Sequence, residues 1–137
     1  MIGCRSDLPT EVEEQEAVFE WAEWQLGRYP ELALLHHIPN GGSRHPAEAR
    51  RLKAQGVKPG VPDLCLPVAR GGYHGLYIEM KRSRGGRLSN DQREWLASLA
   101  EAGYLAVVAR GHEEAERVLA GYLEGKWEKQ CGGRTNR

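Results

Sequence analysis

The chain has 137 residues, of which 40% are hydrophobic and 28% charged, and its formal net charge is zero. This length suits one domain with its own core, and the zero net charge argues against a protein that coats nucleic acid without specificity. Because the sequence has no membrane-length apolar run, no signal peptide and only three widely spaced cysteines, which suit neither a disulfide framework nor a zinc site, it predicts a cytoplasmic protein.

The first predicted element is a helix that follows a flexible N-terminal segment, residues 1–9. Thr10-Glu11-Val12-Glu13 is a capping-box pattern, in which the threonine and the second glutamate satisfy each other's backbone amides. The helix is expected to end near Gly27, with an apolar stripe formed by Val12, Phe19, Ala22 and Leu26 with Trp21 or Trp24. Residues 32–38, a short apolar run between two prolines, are predicted to form the first strand.

The middle of the chain is predicted to contain a loop, a short helix and two strands. Residues 40–45 form the glycine-rich loop, and residues 46–55 form the helix. A proline-rich turn then leads Asp63 into a short strand over residues 64–68. Residues 76–81 alternate between apolar and polar side chains, which is typical of a second strand paired with the first as a hairpin.

The last third begins with a basic, glycine-containing loop at residues 82–88. Ser89-Asn90-Asp91-Gln92 is a second capping box, which opens a helix to residue 102 with Trp95, Leu96 and Leu99 facing inward. The remaining segments are a strand, an amphipathic helix and a mobile C-terminal tail, over residues 104–109, 113–123 and 125–137. This order predicts an α/β domain with a mixed four-stranded sheet flanked by helices, in which the last strand lies parallel to its partner.

The charges are distributed unevenly along this neutral chain. Residues 40–93 carry eleven basic and four acidic side chains, whereas residues 1–39 carry two basic and eight acidic ones. Such asymmetry is typical of a phosphate-binding face, although solvated surface charges alone would give the same composition.

Three side chains in the predicted hairpin suit metal-dependent chemistry on a phosphodiester. Asp63 and Glu79 would be neighbours across an antiparallel pair, where both can bind one Mg²⁺ with the carbonyl oxygen of Met80 as a third ligand. Lys81 shares the face of Glu79, from which it can orient the attacking water and stabilise developing negative charge. Taken one at a time, Asp63 would be a turn residue, Glu79 a solvent-facing strand residue and Lys81 its cross-strand ion-pair partner. Their combination beside a basic loop favours a nuclease site.

The same residues carry a resemblance to known nucleases. Pro62-Asp63 followed by Glu79-Met80-Lys81 resembles the PD-(D/E)xK superfamily, whose members share a restriction-endonuclease-like core. Four further motifs, in the expected order over about residues 10 to 123, are similar to the VRR-NUC family: Pro39-Asn40-Gly41-Gly42 with Arg44, Pro59-Gly60-Val61-Pro62-Asp63, Leu88-Ser89 with Gln92, and Gly103-Tyr104. The resemblance implies one VRR-NUC nuclease domain, placed here at residues 10–124.

The family resemblance implies roles for residues outside the hairpin. Glu11, which shares a helical face with Gln15, is expected to bind the metal directly or through a water. Gln92 matches a glutamine beside the active site, although its place in a capping box explains it equally well. The expected DNA-binding side chains are those of two loops and the turn between them: Asn40, Arg44, His45, Lys58, Arg82, Arg84 and Arg87.

The resemblance also implies a specific activity. Stand-alone domains of this kind are associated with branched DNA, so we expect a homodimeric Holliday-junction resolvase in a bacterial or phage-infected cell, with Mg²⁺ as cofactor and Mn²⁺ as a substitute. The alternatives are a duplex or single-strand endonuclease that uses the same site, a non-catalytic DNA-binding module, and a nuclease subunit that acts only within a larger complex.

Overall fold

The computed structural model describes residues 8–40 and 45–130. Its helices are α1 (Glu11–Trp24), a 3₁₀ helix (Pro30–Leu34), α2 (Pro46–Ala54), α3 (Asn90–Glu101) and α4 (His112–Leu123). Its strands are β1 (His36–His37), β2 (Leu64–Leu66), β3 (Leu76–Lys81) and β4 (Leu105–Arg110). No helix in these residues is long and apolar enough to cross a membrane.

The four strands form one mixed sheet in the order β1-β2-β3-β4. The first two neighbouring pairs are antiparallel, and β3 pairs with β4 in parallel. The predicted fold class is therefore confirmed, including the hairpin in the middle and the parallel last strand. The chain reaches β4 from β3 through α3, as a parallel pair requires.

One face of the sheet packs against α1 and α4. Leu64, Ile78 and Met80 from the sheet are fully buried in one cluster with Val18 of α1 and Leu119 of α4. Since side chains alternate along a strand, Tyr77, Glu79 and Lys81 lie on the opposite face. The polar residues of β3 are thus placed away from the main core.

The buried stripe of α1 differs from the prediction. Glu14, Val18 and Ala22 are its buried residues, whereas Val12 and Trp24 are 66% and 81% exposed. The predicted start is correct, because Thr10 caps the helix by accepting a hydrogen bond from the Glu13 amide at 3.1 Å. The prediction left out Glu14 and Val18, which lie on the same helical face as Ala22.

The first strand is also shorter than predicted. Residues 32–34 belong to the 3₁₀ helix, and within the predicted strand only His36 and His37 pair with β2. Pro30 occupies the first helical position, where its missing amide costs nothing, and so favours a helical turn over extended backbone. Leu32 and Leu35 are still buried, which explains why the apolar run resembles a strand.

The segment after α4 folds back along the protein. The Lys129 amide donates to the Gly71 carbonyl at 2.8 Å, and Trp127 lies close to Gly121. Tyr29 and Glu124 also share a hydrogen bond, which joins the end of α4 to the start of the 3₁₀ helix. Residues 125–130, which were assigned to the C-terminal tail, therefore contact the domain.

Candidate active site

The hairpin register brings the two predicted carboxylates together. Leu64 pairs with Ile78, so continuing the antiparallel ladder by one residue places Asp63 opposite Glu79. Directly opposed residues have Cβ atoms about 4.5–5.5 Å apart. Asp63 stands just before β2 because Pro62, which has no amide hydrogen, precedes it.

Asp63 is held at this position by backbone groups of both neighbouring strands. Its Oδ2 accepts a hydrogen bond from the Met80 amide at 2.7 Å. Its own carbonyl oxygen accepts from the Ile38 amide at 2.8 Å and lies 2.8 Å from His37 Nδ1. The carboxylate therefore points along β3 toward the peptide between Glu79 and Met80.

The Glu79 carboxylate is buried, with its residue only 3% exposed. Its Oε1 accepts a hydrogen bond from Gln92 Nε2 at 2.9 Å and lies 3.7 Å from Lys81 Nζ. Its Oε2 is buried without a hydrogen-bond partner in the part of the chain that the structure describes. Such an oxygen is costly unless a ligand satisfies it.

The surroundings of Glu79 raise its pKa to about 8. Burial is the largest cause, followed by the negative charge of Asp63. Lys81 opposes the rise, whereas the charge of Glu11 and the hydrogen bond that a protonated Glu79 carboxyl can share with Asp63 add to it. When both groups are ionised that hydrogen bond is lost, and Oε2 has no partner in the described residues. Two carboxyl groups therefore face each other with too little positive charge to keep both ionised, which is the electrostatic condition that a bound cation relieves.

Lys81 and Gln92 form a rigid link beside this pair. Lys81 Nζ donates to Gln92 Oε1 at 3.1 Å, and the lysine is 6% exposed. Gln92 Oε1 also accepts from the Ser89 amide at 2.9 Å, so the predicted capping box is complete and fixes the side chain. Gln92 thus caps α3 and contacts both Glu79 and Lys81, and the two interpretations of this residue are compatible.

Glu11 approaches the same region from the first turn of α1. Glu11 and Lys81 both come close to Gly86. A Cβ atom added to Gly86 would lie 3.8 Å from Glu11 Oε1 and 3.5 Å from the Lys81 side chain. Glu11 is exposed, and its charge contributes to the raised pKa of Glu79. The structure therefore places four side chains, those of Glu11, Asp63, Glu79 and Lys81, around the end of β3 together with Gln92.

The donor set fits a hard divalent cation in part. Asp63 and Glu79 are paired carboxylates, and the unsatisfied Glu79 Oε2 is an oxygen of the kind that Mg²⁺ binds. Residues 8–40 and 45–130 contain no cluster of three His, Cys, Asp or Glu side chains close enough to hold a metal. Further ligands would thus come from backbone carbonyls or water, as is usual for Mg²⁺.

The predicted DNA-binding residues before β2 are at the surface. Asn40 Nδ2 donates to the Val61 carbonyl at 3.3 Å and so supports the turn before Asp63. Lys58 is exposed on that turn, and exposed His45 directly precedes α2. Arg44 lies outside the described residues.

The basic loop after β3 contains side chains of two kinds. Arg84 and Arg87 are exposed, whereas Arg82 is half-buried and donates to the Leu8 carbonyl at 3.3 Å. Arg110, which the sequence did not single out, donates to the carbonyls of Gly85 and Gly86 at 2.7 and 3.3 Å. Arg110 follows the last apolar residue of its strand, where a basic side chain reads as ordinary surface, so only the fold reveals this contact.

A second residue missed by the sequence is Glu14. It is 4% exposed, and its Oε2 accepts a hydrogen bond from the His112 amide at 2.5 Å at the start of α4. Gly111 has φ of 85°, and a Cβ there would lie 2.7 Å from this carboxylate oxygen. The spacing of Glu14 with Val18 and Ala22 could have revealed it, since the three positions share one helical face.

Gly60 joins the turn before Asp63 to the start of α3. Its φ is 89°, and a Cβ at this position would lie 2.5 Å from the Asp91 carbonyl carbon. Asp63 follows three residues after Gly60, and Gln92 directly follows Asp91. The close packing of Gly60 on Asp91 therefore fixes the position of Asp63 relative to Gln92.

Comparison with known proteins agrees with this geometry. The VRR-NUC domain model matches residues 10–113. A solved structure of a VRR_NUC domain protein is 36% identical, with a TM-score of 0.75 over 86% of this chain and 91% of that chain. No curated protein matches the chain. The matched residues contain the whole Asp63, Glu79, Lys81 and Gln92 arrangement, and the chain belongs to the VRR-NUC family of nucleases.

Proposed function

We propose that the protein is a metal-dependent, structure-specific DNA endonuclease, and that it acts as a homodimeric Holliday-junction resolvase. The observation that carries the nuclease assignment is the buried Glu79 carboxyl group beside Asp63: its Oε1 lies 3.7 Å from Lys81 Nζ, whereas its Oε2 finds no partner in the described residues. A purely structural carboxylate would have its oxygens satisfied.

Asp63, Glu79 and the Met80 carbonyl are the proposed ligands of Mg²⁺ or Mn²⁺, with Glu11 as an outer ligand. The cation would polarise the phosphodiester and the attacking water. The Met80 amide holds one oxygen of Asp63 and Gln92 holds one oxygen of Glu79, which restricts both side chains and leaves one oxygen of each for the cation. Preorganised ligands of this kind need no rearrangement when substrate arrives.

Lys81 is the proposed positive group at the reacting phosphate. Its ammonium donates a hydrogen bond to Gln92 Oε1 at 3.1 Å and forms an ion pair with Glu79 Oε1 at 3.7 Å, which restricts the side chain and leaves ammonium hydrogens for a substrate oxygen. Exposed Arg84 and Arg87 lie in the loop that follows Lys81, and exposed Lys58 lies in the turn before Asp63, so basic side chains near the site in the chain are available to bind backbone phosphates.

Junction specificity follows from symmetry rather than from a side chain. The described residues form one such site per chain, and paired cuts across a twofold-symmetric junction need two chains related by a twofold axis. A duplex or single-strand endonuclease with the same site remains the second candidate.

The test compares the purified protein on three DNAs with Mn²⁺ or Mg²⁺: a four-way junction, a linear duplex with the same arms and a single strand. We expect cleavage of the junction at paired sites, and loss of about 10²–10³-fold or more in Asp63→Asn and Lys81→Ala. Glu101→Gln, an exposed carboxylate at the end of α3, is the control and should keep wild-type activity.

Each alternative predicts a different result. Equal cleavage of linear duplex would reject junction specificity, and a monomer by sedimentation would reject the dimer. If Lys81→Ala keeps full cleavage, the observed activity does not come from this site. Inactivity of the wild-type chain on every DNA with Mn²⁺ would contradict the nuclease proposal for the isolated protein.

A further inference from the structure

A groove lies beside the active site, between the turn after α2 and the first turns of α3. Its volume is about 430 Å³, and its lining includes Lys53, Val57, Lys58, Pro59, Asp91 and Trp95. We call it the Trp95 groove. It lies within the range of about 300–1,000 Å³ that is usual for small-ligand sites.

Both walls of the Trp95 groove lead directly into the proposed active site. On one wall, Lys58 and Pro59 precede Gly60, which packs against Asp91 on the other wall. Asp63 follows three residues after Gly60, and Gln92 follows directly after Asp91. The groove therefore lies close to the residues proposed to hold the scissile phosphate.

The lining chemistry suits a nucleobase better than a phosphate. Trp95 is half-buried, and with Val57 and Pro59 it offers an apolar surface with one aromatic ring. Asp91 lines the groove as well, so its carboxylate disfavours an anion inside but can accept from the amino group of a base. Exposed Lys53 and Lys58 provide positive charge for the phosphates on either side of that base.

We propose that the Trp95 groove binds one unpaired nucleobase next to the scissile phosphate, with the base stacked on Trp95 and its flanking phosphates contacted by Lys53 and Lys58. The inference rests on the proposed nuclease function and specifies its substrate. Bases in continuous duplex are already stacked and paired, whereas a base at a branch point or in a single strand can enter the groove. The groove thus favours DNA that is unpaired beside the cut.

The experiment measures binding separately from cleavage. Asp63→Asn protein in EDTA is titrated with branched DNA that carries the fluorescent base 2-aminopurine at successive positions around the branch. We expect strong quenching at one position, where the base stacks on the indole. Adding Trp95→Ala should abolish that quenching and weaken binding about 5- to 150-fold, the usual range for one base stacked on an aromatic side chain.

Two further variants keep the test decisive. Trp95→Phe retains a ring for stacking but lacks the electron-rich indole, so it should keep most of the affinity and lose most of the quenching; it replaces the alanine variant if thermal melting shows that the latter does not fold. Lys58→Ala should weaken binding and lower the slope of log affinity against log salt by about 1. Trp24→Ala, which removes an 81% exposed tryptophan from α1, is the control and should change neither quenching nor affinity.

The results separate this inference from the function on which it rests. No quenching at any position, or unchanged quenching and affinity in Trp95→Ala, would overturn the groove assignment even if the wild type cleaves DNA. Absence of cleavage by the wild type, with quenching that depends on Trp95, would reject the nuclease proposal while retaining the base-binding groove.

Discussion

Glu14 and Glu79 are two buried glutamates in opposite settings. Each residue is less than 5% exposed, at 4% and 3%. Glu14 belongs to α1, and its carboxylate lies at the start of α4. There the His112 amide donates to its Oε2, and the N-terminus of the helix favours its negative charge. Glu79 lies among Asp63, Glu11 and Lys81, and its Oε2 has no hydrogen-bond partner in the described residues. Burial alone therefore does not distinguish a structural acid from one that we propose to bind a metal.

The difference lies in what satisfies each carboxylate. The protein itself supplies the partner of Glu14, and that contact joins α1 to α4. At Glu79 the protein supplies Gln92 and Lys81 for one oxygen only, and it places a second carboxylate opposite. Such an arrangement lowers stability unless a cation is bound, which is typical of sites where function opposes stability.

The largest expected effect separates the two acids by activity. Glu79→Gln keeps the shape of the side chain but removes its charge, so cleavage should fall by at least about 10²–10³-fold. Glu14→Gln can still accept from the His112 amide and should stay within about tenfold of wild type, which kinetics with Mn²⁺ would show. Equal losses in both variants would contradict the distinction.

The second prediction compares the same two glutamates by stability instead of activity, and here the larger loss is expected at Glu14. Glu14→Ala leaves the partly buried His112 amide without its charged acceptor and should lower the free energy of unfolding by about 1.5–3 kcal/mol. Metal-free Glu79→Gln should be as stable as wild type or more so, because an uncompensated buried charge is removed. Urea unfolding at pH 8 in EDTA measures both, and a larger loss in Glu79→Gln would invert our interpretation.

These two glutamates also show what sequence can predict. Glu79 was predictable because its partners lie on a local hairpin, whose alternation fixes its face and whose register sets its distance from Asp63. Glu14 was not identified, because its partner lies 98 residues away and the five other acids of α1 are all exposed. The 3₁₀ helix at Pro30–Leu34 was missed for a related reason, since a short apolar run does not reveal its backbone conformation.

The Arg110 contact likewise depends on tertiary structure. The residues between Asp63 and Gln92 could be placed from capping and alternation, whereas the clamp on Gly85 and Gly86 needs the parallel pairing of β3 with β4. The Trp95 groove also could not be predicted, because the sequence pattern assigned that tryptophan to the core.

The third prediction concerns pH. Between the ordinary glutamate pKa of 4.5 and about 8, the unfolded chain has an ionised Glu79 whereas the folded protein retains the proton. Stability contributed by this group therefore falls as pH rises, by at most about 1.4 kcal/mol for each pH unit. The pKa of His112 is raised by its hydrogen bond to Glu116 and adds a trend of the same sign. The difference between wild type and Glu79→Gln isolates the glutamate.

Urea unfolding of both proteins in EDTA from pH 5 to pH 8 measures this difference. Wild type should lose stability relative to Glu79→Gln across the range. Mn²⁺ should stabilise wild type more at pH 8 than at pH 6, since the cation binds the ionised form. Parallel curves for the two proteins in EDTA would mean that Glu79 is already ionised at pH 5, and would remove the electrostatic argument for a cation there.

The smallest expected effect concerns the contact between Arg110 and the basic loop after β3. Arg110 holds the loop of Arg84 and Arg87, while the next residue, Gly111, donates its amide to the Lys81 carbonyl at 2.9 Å. Arg110→Ala removes the side-chain clamp but leaves the backbone contact, so the carboxylates and Lys81 should stay in place. We expect a KM about 3- to 10-fold higher, in line with one or two lost hydrogen bonds, and an unchanged kcat. Arg117→Ala, an exposed arginine of α4, should change neither constant. A fall in kcat in Arg110→Ala would show that the loop positions the reacting groups as well as the DNA. The residues that affect the chemical step would then extend further from Glu79 than the hydrogen bonds indicate.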